Sequence, residues 1–143
     1  GERRSSLEVE GIMTEQQNVE AVTKIYEAFG RGDIPYIIDQ LSEDVRWVSH
    51  FEPEVPWAGD YSGKEEVPRL FAAIADSVDV TSFTPAEFVA QGDVVVSLGE
   101  FGCRVKATGK SALTRWVFIW KLRQGKVVDY EQFHDPTLSA AFR

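Results

Sequence analysis

The chain has 143 residues, the size of one ordinary domain with no room for a second full core. Hydrophobic residues make up 43% and aromatics 12%, while 15 Lys+Arg against 23 Asp+Glu leave a net charge of −8. That balance allows a sizeable core and disfavours nucleic acid or an anionic membrane surface as partners. One cysteine, Cys103, excludes an internal disulfide and a multi-cysteine metal site. Apolar runs such as Trp116 to Trp120 fall far short of a membrane span, so a soluble, cytoplasmic chain is the expectation.

Residues 1–12 carry charge without an apolar period and read as a disordered or non-native leader, leaving residues 13–143 as a single domain. Thr14 with Gln17 forms a capping-box pattern. Val19, Val22, Ile25, Tyr26 and Phe29 then keep helical spacing until Gly30-Arg31-Gly32. Asp33 can cap a second, shorter helix whose apolar face is Ile34, Ile37, Ile38 and Leu41. Val45 to His50 reads as the first strand. Phe51 to Gly63, with Pro53, Pro56, Gly59 and Gly63, reads as a loop. Lys64 to Ala75 has a third helical period, and Pro68 sits in its first turn, where a missing N–H is tolerated.

Val78 to Phe88, Val94 to Val105, Ser111 to Arg123 and Lys126 to Phe133 are rich in β-branched and aromatic residues. Turn signals at Gln91-Gly92-Asp93, Thr108-Gly109-Lys110 and Gln124-Gly125 separate them. Pro136 to Phe142 can form a short closing helix. Three helices followed by a four-stranded antiparallel run is an α+β arrangement, with helices packed on one face of a curved sheet.

Four segments in this order carry a family resemblance: Tyr26 to Asp33, Leu41 to Trp47, Trp57 to Val67, and Gln124 to Val128 with Phe133-His134-Asp135. Together they resemble the nuclear-transport-factor-two-like proteins, in particular ketosteroid isomerases and SnoaL-like polyketide cyclases. The resemblance implies a cone of three N-terminal helices on a curved, mostly antiparallel sheet around an apolar pocket. It also implies a homodimer, and as ligand a small apolar molecule. It does not fix one reaction, because the fold hosts several chemistries as well as plain binding and dimerisation modules.

Set against the isomerase pattern, the base position falls at Ser49, the tyrosine position at Ile25 with Tyr26 one residue off, and the aspartic-acid position at Phe118. The isomerase triad is therefore absent. The epoxide-hydrolase pattern retains only Asp135. In the cyclase pattern a single acidic residue near the chain end works as general acid/base, and Asp135 fits it best. Glu131 lies on the same side of a regular strand, and His50 is a second auxiliary candidate. In an apolar cone the Asp135 carboxyl is expected to have a raised pKa suited to proton transfer on a small apolar carbonyl compound.

Each candidate has a plainer alternative. Asp135, before Pro136, also suits a helix cap. His134 alternates to the face opposite Asp135, which suggests surface or dimer interface. Trp116, Phe118 and Trp120 read as sheet packing or dimer interface rather than a ligand platform. Trp47, Trp57, Tyr61, Phe71 and Tyr26 are the candidate pocket lining. Glu100 and Arg115 suggest a cross-strand ion pair, and Cys103 an inert buried thiol. No cofactor or metal is implied by any spacing. Two functions stand side by side: cofactor-free acid/base catalysis, and a non-catalytic ligand-binding or dimerisation module.

Overall fold

A computed structural model describes residues 13–143, so the leader over residues 1–12 lies outside the described residues. Helix α1 spans Glu15–Gly30 and opens on the expected capping box. The Gln17 amide N–H donates to Thr14 Oγ1 (3.1 Å), and the Thr14 N–H donates to Gln17 Oε1 (2.8 Å). Gly32, at φ +74°, supplies the left-handed residue that ends the turn beyond it. Asp33 caps α2 (Ile34–Asp39) by accepting from the Tyr36 N–H at 3.2 Å. Helix α3 runs Val67–Ser77, a few residues later than its apolar period suggests. Helix α4, Thr137–Ala141, closes the chain.

Strands β1 (Leu41–His50), β2 (Gly59–Ser62), β3 (Val78–Gln91), β4 (Val94–Val105), β5 (Ser111–Arg123) and β6 (Lys126–His134) form one sheet. Its order is β2-β1-β6-β5-β4-β3, antiparallel throughout except where β1 runs parallel to β6. Two expectations need correction. Strand β1 starts at Leu41, because Leu41 pairs with Val127 of β6 instead of extending the α2 face. The Pro-rich loop also contains a strand, β2, held on β1 through pairs such as Trp47↔Tyr61. The prolines fall before this short segment, so they do not interrupt its ladder.

Register shifts bend the sheet at Val80/Ser82 and Pro85/Glu87 against β4, and at Lys121/Leu122 against β6. The concave face carries rows of side chains that pair across strands. One row is Trp47, Tyr130, Trp120 and Val95. The next is Ser49, Gln132, Phe118 and Ser97, and the third is His134, Trp116 and Gly99. The helices cover this face, with Val22, Ile25 and Ala28 of α1 and Leu70 of α3 almost fully buried in the core. Cys103 is buried and unpaired, and burial pushes its thiol pKa up to about 11, as an inert thiol requires.

Candidate functional site

Between helices and concave face lies a cavity of about 60 Å³, walled chiefly by aromatic and aliphatic side chains. Of the five candidate lining residues, Trp47, Trp57, Phe71 and Tyr26 border it. Tyr61 does not. It is buried between the loop and α3, where its hydroxyl donates to the Trp57 carbonyl at 3.3 Å and the Arg69 guanidinium lies over its ring. Phe118 and Trp120 also border the cavity, so part of the row read as packing belongs to the site.

Several of the polar atoms inside join two chains. Trp120 Nε1 donates to Tyr26 Oη at 2.8 Å, and Tyr26 shares a further hydrogen bond with Ser97 Oγ. Ser49 Oγ donates to Gln132 Oε1 at 2.8 Å, while Gln132 Nε2 donates to Tyr130 Oη. Burial pushes both phenol pKa values far up, so both stay protonated at neutral pH. The remaining titratable group is His134. Burial holds its imidazole down at about 3, although the nearby Asp135 charge pulls it upward. No Asp, Glu, Lys or Arg borders this cavity, so its walls carry no formal charge at neutral pH.

That placement corrects the reading of β6. A regular strand counted from Val127 puts Glu131 and Asp135 on the inner face and His134 outside. The bulge near Val128 reverses the phase, because Leu122 pairs Val127 while Lys121 pairs Asp129. Tyr130, Gln132 and His134 therefore face the cone. Glu131 lies on the outer side, 2.9 Å from His50 Nε2 and 3.8 Å from an Arg46 nitrogen. His50 stacks on Phe133 there, ring centroids 4.4 Å apart.

Asp135 sits at the end of β6 and does not border the cavity. Its Oδ1 accepts from Thr114 Oγ1 and the Thr137 N–H, and its Oδ2 from the Arg115 N–H, each at 2.9 Å. Partial burial pushes its pKa up, but these hydrogen bonds outweigh burial and bring it down to about 2. The expected raised carboxyl is thus replaced by an ionised one that braces the turn into α4, whose N-cap position is Pro136. Asp135, His50 and His134 do meet at the wall of an outer cleft of about 330 Å³. Glu100 and Arg115 pair directly in the β4–β5 ladder, but no ion pair links them. Among the described residues, no three His, Cys, Asp or Glu side chains converge as a metal site requires, and no helix is long and apolar enough to cross a membrane.

The fold recurs among solved structures. An NTF2-like protein from Burkholderia xenovorans LB400 is 32% identical, with a TM-score of 0.81 over 92% of this chain and 99% of that one. An NTF2-like protein of unknown function from Burkholderia pseudomallei K96243 is 27% identical, with a TM-score of 0.77 over 90% and 95%. TerC, co-crystallised with polyporic acid, is also 27% identical, with a TM-score of 0.75 over 88% and 97%. No curated protein matches the chain. The SnoaL-like domain family matches residues 22–130. With that match spanning most of the cone, the chain belongs to the SnoaL-like domain family.

Proposed function

We propose that the cone receives a small, uncharged, largely apolar molecule, of the carbonyl class that the family resemblance suggests. The observation that carries this reading is the cavity wall: aromatic and aliphatic throughout, with neutral polar groups and no charged side chain. TerC, co-crystallised with polyporic acid, supports a ligand-binding use of the same scaffold. The volume of about 60 Å³ suits only a few waters, so a ligand enters by displacing partly buried wall aromatics such as Phe71 and Phe29. Calorimetric titration with acetophenone and with ethylbenzene tests the reading. One molecule bound per chain, and none in an Ile74→Trp variant whose new ring fills the cavity, is the expected result. Absence of binding to the unaltered protein overturns it.

A second reading, acid–base chemistry on that molecule, is favoured by one observation: the ionised Asp135 adjoins His134 and raises its basicity against burial. An imidazole at about 3 is a weak base at neutral pH, so this chemistry needs a bound ligand that raises it further. Loss of turnover in both His134→Gln and Asp135→Asn supports catalysis, while unchanged turnover removes these residues from it.

For a partner, we propose a second copy of the chain against the outer sheet face. There Val96 and Ile119 pair across the ladder, as do Leu98, Val117 and Phe133. Around them stand Arg46, Lys121, Asp129, Glu131 and His50. Phe133 is 39% and Val89 61% exposed. An apolar centre with rim charges of both signs suits a self-complementary contact.

A further inference from the structure

Resting on that reading of the cone, we propose that His134 on its wall and Trp116 in the adjoining cleft form a polar docking point, taking the carbonyl oxygen of an uncharged ligand. Four buried side-chain atoms lack a hydrogen-bond partner among the described residues: Asn18 Oδ1, Trp47 Nε1, Trp116 Nε1 and His134 Nδ1. Buried polar atoms are nearly always paired, so each of these calls for a reason. Two of the four, Trp116 Nε1 and His134 Nδ1, belong to residues directly opposite one another in the β5–β6 ladder. Both residues wall a cleft of about 270 Å³, and His134 walls the cone cavity as well. His134 is thus common to cavity and cleft, while its ladder partner Trp116 walls the cleft.

The indole is held in place from three sides. It stacks on Phe118 with ring centroids 3.8 Å apart and planes 8° apart, and on Phe83 at 5.4 Å. Opposite it in β4 is Gly99, where a Cβ would collide with Trp116 Cζ2 and come within 2.5 Å of the Thr84 carbonyl oxygen. The missing side chain at Gly99 lets the ring lie against the strand. The neighbouring Trp120 has its N–H satisfied by Tyr26, so a fixed indole in this fold is not obliged to lack a partner.

Chemistry then selects the ligand group. An indole N–H only donates, so its partner is an acceptor. The imidazole beside it is uncharged at neutral pH and offers one further hydrogen bond whose sense follows its tautomer. Of the charged residues on the cleft wall, Asp135 has both oxygens occupied and Arg115 is exposed at the rim. A ketone or aldehyde oxygen attached to an apolar body fits this environment.

Three probes of matched size separate the outcomes: acetophenone, ethylbenzene and benzoate, titrated into the protein with its tryptophan indoles and histidines labelled with nitrogen-15. Acetophenone is expected to bind about tenfold more tightly than ethylbenzene, the gain from one hydrogen bond to a buried donor. It also shifts the Trp116 indole and His134 imidazole signals. Trp116→Phe is expected to bring acetophenone down to the affinity of ethylbenzene. Equal affinities with an unmoved Trp116 signal in the unaltered protein overturn the docking point and leave the cone reading intact. Tighter binding of benzoate than acetophenone overturns it in favour of charge recognition through Arg115. Binding of none of the three overturns both readings.

Discussion

Asp135 has both carboxylate oxygens occupied by the Thr114 hydroxyl and the Arg115 and Thr137 N–H groups. Residue type and position suited it to acid/base work, but environment decided its chemistry. Asp135→Ala is expected to cost about 1–2 kcal/mol at neutral pH, from loss of the hydrogen bonds its carboxylate accepts. Because the folded pKa, about 2, lies below the unfolded value of about 3.9, this stability is present above the unfolded pKa. It disappears as pH falls through the folded one. Urea unfolding of both proteins checks this: the gap seen at neutral pH closes near about pH 2. Gly99 gives a second residue-scale test. Gly99→Ala sets a Cβ against a backbone carbonyl that cannot swing away, so a loss of about 1–3 kcal/mol is expected in the same assay.

At the scale of elements, α1, β4 and β5 could be read from caps, periodicity and turn residues, since those signals are local. Strand β6 could be found but not oriented. Its bulge depends on how Val127 and Asp129 pair with β1 and β5, and no local signal in the strand fixes that. One shifted residue exchanged the faces of Glu131 and His134, and the candidate site moved with them. Phasing the strand on Tyr130, the large aromatic, instead of on Asp135 gives the observed inner face. Strand β2 was hidden by the turn residues around it, because four residues carry too little pattern to stand out. Tyr26 ties α1 to the sheet through Ser97 on β4 and Trp120 on β5. Tyr26→Phe leaves both partners buried without it, and a loss of about 1–3 kcal/mol is expected in thermal unfolding.

For the whole molecule, the α+β cone follows from element order, because helices with one apolar stripe and a sheet with one aromatic face must bury them together. The lining was partly readable: Trp47, Trp57, Phe71 and Tyr26 reach the cavity, while Tyr61 packs behind it. The uncharged interior was not, since it arises from the β6 phase and from burial. The outer face yields a prediction of its own. Val117→Glu places a charge at the centre of the apolar outer rows, so sedimentation equilibrium is expected to find two associated chains for the unaltered protein and single chains for the variant. Single chains for both contradict the proposed contact.

The proposed ligand site is the concave face, behind its helices. Amide chemical-shift mapping with saturating ethylbenzene tests it most directly. Shifts centred on Tyr26, Phe118, Gln132 and His134 are the predicted result. Shifts confined to Val96, Val117 and Phe133 on the outer face, or none at all, would contradict it.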